Sequence, residues 1–166
     1  SGPLIADHRL RKITYTGSTQ VGRKIIQQAS ERVLRTSMEL GGNAPFLVFE
    51  DADIDAAVSG AMLAKMRNIG QVCTAANRFI VHESVAEEFG SKFAAKMGEL
   101  NLGRGIAEGT TCGPVINKAA QENMQRLVDA TVKEGGDVLV GGESLAGEGY
   151  FFKPTVLDNV SPTSTI

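Results

Sequence analysis

Cysteine is scarce in this chain: Cys73 and Cys112 are the only two among 166 residues. Two thiols cannot build a disulfide framework, and no Cys-x-x-Cys pair offers a zinc site. His8 and His82, the only histidines, have no acidic or cysteine partner at metal-ligand spacing, so no metal is expected. No apolar run approaches the roughly 20 residues of a membrane helix. The opening Ser1–His8 stretch lacks the basic start and apolar core of a secretory leader, so Asn159-Val160-Ser161 is read as a chance sequon. A reducing, cytoplasmic setting fits this pattern. Like charges form no block and the net charge is only −2, which removes the electrostatic case for a nucleic-acid partner. Repeats and low-complexity tracts are also missing.

What remains is an alternation of strand and helix signals. Arg11–Thr16 is β-branched and alternating, hence a strand, and Gly17-Ser18-Thr19 supplies a turn and a helix N-cap. Val21, Ile25, Ile26 and Ala29 then form a helical stripe. Strand, Gly-Ser turn and helix is the local grammar of a nucleotide-binding unit. Thr36–Glu39 reads as a second strand broken by Gly41-Gly42, and Pro45–Phe49 as a buried third. Asp51, Asp53 and Asp55 mark a helix start, with Val58, Met62 and Met66 on its face and an end near Arg67–Gly70. After Arg78–Val81, a helix carries Val85, Phe89, Phe93 and Met97. Another runs over Lys118–Glu134 to Gly135-Gly136 and the strand Asp137–Val140. Phe151–Leu157 closes as an edge strand because Pro154 cannot donate to a ladder. The fold class is therefore α/β, with a parallel or mixed sheet.

Three residues could carry chemistry. Cys73, in Gly70-Gln71-Val72-Cys73-Thr74, places a thiol in a turn whose amides can face an anion; it is a candidate nucleophile or else a packed core cysteine. Glu39, in Met38-Glu39-Leu40-Gly41-Gly42, is a candidate general base or a solvated strand-end charge. Arg67 either complements a helix dipole or forks onto a substrate carboxylate. Gly103-Arg104-Gly105 with Gly109 falls short of a dinucleotide fingerprint in spacing and context, and Cys112 reads as structural.

Taken in order, Thr14–Gly22, Met38–Pro45 and Arg67–Cys73 resemble the aldehyde dehydrogenase superfamily, and Gly113–Ile116 and Gly149–Thr155 are similar to its later segments. The resemblance covers nearly the whole chain, and the 34 positions from Glu39 to Cys73 match the family's base-to-nucleophile separation. It implies that Cys73 attacks an aldehyde, that hydride passes to NAD or NADP, and that Glu39 activates the water that frees the acid. It further implies coenzyme contacts at Gly17, Ser18, Val21, Leu40 and Gly41. Ala44-Pro45-Phe46, Arg67-Asn68 and Ala76-Asn77-Arg78 look most like the succinate-semialdehyde type, in which Arg67 would hold the distal carboxylate. Ala75 stands where many relatives carry a second cysteine, so a switch between neighbouring thiols is not expected.

By the same resemblance, residues 1–39 would end a Rossmann-type coenzyme domain and 40–166 would form most of a catalytic domain. The chain is expected to be an internal piece of a homo-oligomeric enzyme, dimer or tetramer, acting on a small aldehyde and inactive on its own. Two other readings stay open on the residues alone: a coenzyme-independent thiol esterase and a catalytically silent structural domain.

Overall fold

The computed structural model describes residues 2–166; Ser1 lies outside the described residues. A short helix α1 (Gly2–Ala6), without a signal in the sequence reading, leads into strand β1 (Lys12–Gly17), helix α2 (Thr19–Ser30) and strand β2 (Arg35–Leu40). β1 and β2 pair in parallel, with Thr16 opposite Glu39 and Gly17 opposite Leu40. A helix is the usual crossover for such a pair, because parallel neighbours cannot be joined by a tight turn. Ser18 starts α2 as expected: its Oγ accepts from the Val21 amide at 3.4 Å. The helix then lies close against the strand end. A Cβ at Gly22 would come within 2.8 Å of Leu40 Cδ2, so glycine here permits the approach.

The same pattern repeats in strand β3 (Ala44–Val48), helix α3 (Ile54–Met66), a tight turn over Arg67–Gly70 and strand β4 (Ala76–Val81). Asp53 caps α3, its Oδ1 accepting from Ala56 N at 3.0 Å, which the acidic run predicts. β3 and β4 are parallel, but their register slips: Ala44 faces Ala76 whereas Pro45 faces Arg78. Asn77 is thus an extra residue on β4, a bulge opposite a proline that has no N–H to give.

Helix α4 (Glu83–Gly98) turns Phe89, Phe93 and Met97 inward against Val48, Ile54, Val58 and Ala61. The phenyl rings pack in tilted pairs across strands and helix, with Phe79–Phe93 centroids at 4.9 Å and Phe46–Phe79 at 5.6 Å. Fully burying such a side chain contributes about 1.5–3 kcal/mol, so this cluster is the main anchor for everything mounted on β3, α3 and β4. His82 caps α4 by accepting from Ser84 N at Nδ1, and its Nε2 lies 3.1 Å from a Glu50 carboxylate oxygen. That acidic partner was invisible in the local spacing around His82.

Helix α5 (Lys118–Lys133) leads to strand β5 (Asp137–Val140), which pairs antiparallel with β6 (Val156–Asp158). The continuous closing strand expected over Phe151–Leu157 is broken. Phe152 makes an isolated bridge to Ser144, and ladder pairing resumes only at Val156. Pro154 separates the two parts, as a residue without an amide donor must. The strands therefore form three pairs, two parallel and one antiparallel, and the α/β expectation holds while one continuous sheet does not. Among the described residues no helix is long and apolar enough to cross a membrane.

Candidate active site

β1 and β2 run in the same direction, so both deliver their C-terminal ends, Gly17 and Leu40, to one edge. β3 and β4 also run in the same direction, so the segments entering them reach one edge together. These segments are Gly41–Asn43 and the turn holding Cys73. The two edges face each other across a cleft of about 250 Å³. Thr16, Gly17, Glu39 and Leu40 line it from the ends of β1 and β2, and Gly41, Gly42, Gly70, Gln71, Val72 and Cys73 from the segments that enter β3 and β4. Residues 34 positions apart in the chain thereby share one small space. Ends of parallel strands are where α/β proteins commonly place ligands.

Of the eight residues singled out in the sequence, Cys73, Glu39, Gly17, Leu40 and Gly41 line this cleft. Ser18, Val21 and Arg67 do not. Ser18 is engaged as the α2 cap, and Val21 is 41% exposed on the helix. Arg67 is exposed at the start of the turn that ends in Cys73. Leu40 faces Gly22 of α2, so the alternation of a strand turns Glu39 to the opposite side.

The Cys73 thiol is exposed. Cys112 is buried, and burial pushes its thiol above the ordinary value, as suits a structural residue. The turn before Cys73 is unusual: Asn68 and Ile69 both have φ of 51°. A β-branched residue in the left-handed region is strained, at a cost of about 1–3 kcal/mol. Gly70 follows at φ 78°, where glycine is at ease. Turn hydrogen bonds engage the amides of Gln71 and Ala75 but not that of Cys73. That N–H is a ready donor for an anion formed beside the sulfur.

The sequence reading missed a polar contact beneath the cleft. Lys65 on α3 donates to Asn77 Oδ1 at 2.5 Å, and Asn77 Nδ2 donates to Asn43 Oδ1 at 2.8 Å. Burial pulls the Lys65 ammonium below its ordinary pKa. A lysine in the last turn of a mostly apolar helix was the available signal, but its partners are brought near only by the β3–β4 register. Among the described residues no cluster of His, Cys, Asp and Glu could hold a metal ion.

The chain matches the family model described as the aldehyde dehydrogenase family over residues 1–166. It is 57% identical to a succinate-semialdehyde dehydrogenase of Paenarthrobacter nicotinovorans, across 100% of this chain and 37% of that protein. It is 46% identical to a probable succinate-semialdehyde dehydrogenase [NADP(+)] of Sinorhizobium fredii, across 96% of this chain and 33% of the relative. Its structure superposes on that of a succinate-semialdehyde dehydrogenase from Burkholderia pseudomallei with a TM-score of 0.95 at 43% identity, covering 99% of this chain and 34% of the other. The chain spans about a third of the length of the relatives it matches.

Proposed function

This chain belongs to the aldehyde dehydrogenase family, and on that premise we propose that it supplies the nucleophile and the general base of an NAD(P)-dependent oxidation of an aldehyde to its acid. The observation that carries the reading is the single cleft that gathers Cys73, Glu39 and the glycine-lined strand ends. Residues 1–39 close the coenzyme domain and residues 40–166 belong to the catalytic domain, in keeping with the separate strand pairs on the two sides of the cleft. The two free cysteines suit a reducing cytoplasm.

The Cys73 thiolate attacks the aldehyde carbon, and the carbonyl π pair moves onto oxygen. The Cys73 N–H is placed to hold that oxyanion, and the thiohemiacetal forms on sulfur. When bound, the nicotinamide coenzyme supplies the hydride acceptor that converts this adduct to a thioester. Glu39 then takes a proton from water as the oxygen attacks the thioester carbon. The C–S bond breaks, the carboxylic acid leaves and the thiolate returns.

The residues present fit a nicotinamide coenzyme. A Cβ at Gly17 would run into the Tyr15 phenol, so only glycine fits at this strand end before α2. Ser18 fixes the helix start, and the first-turn amides are donors suited to a pyrophosphate. Leu40 and Gly41 border the same cleft as Cys73 and would lie against the nicotinamide side. Val21 is exposed on α2 and would pack near the adenine.

Succinate semialdehyde is the substrate we assign, with Arg67 as the fork for its distal carboxylate. The test compares succinate semialdehyde with an uncharged aldehyde of equal chain length, in the full-length protein with NAD+ and with NADP+. Arg67→Met should cut kcat/KM for the semialdehyde about 10- to 100-fold, the equivalent of one charge-assisted hydrogen bond, and leave the neutral aldehyde unchanged. Equal losses on both aldehydes would remove Arg67 from the substrate site. Full activity in Cys73→Ser would overturn the mechanism.

A further inference from the structure

Lys65 does not line the cleft, but it is tied to both segments that enter β3 and β4. On one side it underlies the turn that leads to Cys73. A Cβ placed on Gly70 would lie 3.1 Å from the Lys65 carbonyl oxygen and 3.2 Å from both Cε and Nζ. On the other side its ammonium holds Asn77, which in turn holds Asn43 at the end of the Gly41-Gly42 link from Glu39. Asn43 lies four residues after Glu39, and Asn77 lies four after Cys73. The parallel register brings these two offsets together, and the β4 bulge frees Asn77 from ladder pairing to bridge them.

We infer that Lys65, through Asn77 and Asn43, is a positioning residue that sets the separation of Glu39 from Cys73. The inference rests on the catalytic pair proposed above. Neither flanking segment can fix itself. Gly41 and Gly42 carry no side chain to pack, and a Cβ on either would meet nothing within 4 Å. The opposite segment holds two left-handed non-glycine residues, a conformation that persists only when its surroundings over-determine it. Lys65, lying beside Gly70 and bonded to Asn77, supplies that constraint to the turn before Cys73 and relays it to the Gly41-Gly42 link.

Positioning should matter most for deacylation, because water must be held between the Glu39 carboxylate and a thioester on Cys73. The test uses p-nitrophenyl acetate and no coenzyme. Thiolate attack on the ester expels p-nitrophenolate and leaves an acetyl thioester, and water activated by Glu39 releases acetate and restores the thiol. The burst of p-nitrophenolate reports acylation, and the steady phase reports deacylation. Glu39→Gln should preserve the burst and slow the steady phase at least about a hundredfold. Lys65→Met should keep the burst and slow the steady phase about 10- to 100-fold, the scale of a misplaced catalytic group.

The two asparagine positions decide between positioning and loss of structure. Asn77→Asp keeps an acceptor for Lys65 but sets a carboxylate against the Asn43 carbonyl oxygen, so it should slow the steady phase as Lys65→Met does. Asn43→Asp, with Asn77 unchanged, retains an acceptor for the Asn77 amide, so its steady phase should stay well above that of Asn77→Asp. Protection of buried Cys112 from alkylation reports that each variant is folded. A normal steady phase in Asn77→Asp alongside a slow one in Glu39→Gln would overturn the role of Lys65 while leaving the catalytic pair intact. A normal steady phase in Glu39→Gln would overturn the pair itself.

Discussion

Replacing Gly70 by alanine isolates the contribution of one backbone conformation to the cleft. Gly70 sits at φ 78°, where an L-residue costs about 1–2 kcal/mol. Its new Cβ would also stand 3.1 Å from the Lys65 carbonyl oxygen and 3.2 Å from Cε and Nζ, closer than ordinary contact. The Cε and Nζ atoms can give way, but the carbonyl belongs to the last turn of α3 and cannot move without it. Alanine also restricts the unfolded chain, which returns about 0.4–1 kcal/mol. The net expectation is a destabilisation of about 1–2 kcal/mol. Urea unfolding should show it as a midpoint lowered by about 0.5–1 M at unchanged slope. Gly105→Ala is the control: its Cβ would meet nothing within 4 Å and its φ is not left-handed, so the midpoint should hold or rise slightly. Equal midpoints for the two variants would refute the strain assigned to Gly70.

Two other positions give sharp expectations. Phe93 is 3% exposed, stacked with Phe89 and tilted against Phe79, so Phe93→Ala should cost about 3–5 kcal/mol in urea unfolding; a loss below 1 kcal/mol would mean that the aromatic cluster does not anchor α4. Glu134 accepts from the Ser164 and Thr165 hydroxyls and from the Thr165 amide, which holds its carboxyl below the ordinary value of 4.5. A lowered folded pKa means that its stabilisation is full above the ordinary carboxylate range and is lost as pH falls through the lowered value. Glu134→Gln should therefore flatten the acid limb of a plot of Tm against pH, and superimposable curves would contradict this.

Much of the site was legible because its parts are local. Ser18 and Asp53 act as caps that short motifs announce, and the helical stripe of Phe89, Phe93 and Met97 is a periodic signal. Glu39 and Cys73 were found through the motifs around them, and the parallel strand pairs explain why such distant motifs share a cleft. What stayed hidden depends on register and on contacts between remote positions. The bulge at Asn77 arises from Pro45 on the partner strand, so nothing in Ala76-Asn77-Arg78 alone reveals it. Lys65 carries no local motif, and only the fold sets it beside Gly70 and Asn77. The pairing of His82 with Glu50 joins residues 32 positions apart, beyond the spacing of any ligand motif. The closing strand was drawn too long because β-branched and aromatic residues outweighed the interruption at Pro154.

The central claim is that Cys73 carries the acyl group and Glu39 releases it. Peptide mass analysis of the Glu39→Gln full-length protein, quenched after incubation with succinate semialdehyde and coenzyme, tests it most directly. A succinyl thioester accumulating on the peptide that contains Cys73, and absent from the one containing Cys112, is the predicted result. Normal turnover with no acyl group trapped on Cys73 would contradict it.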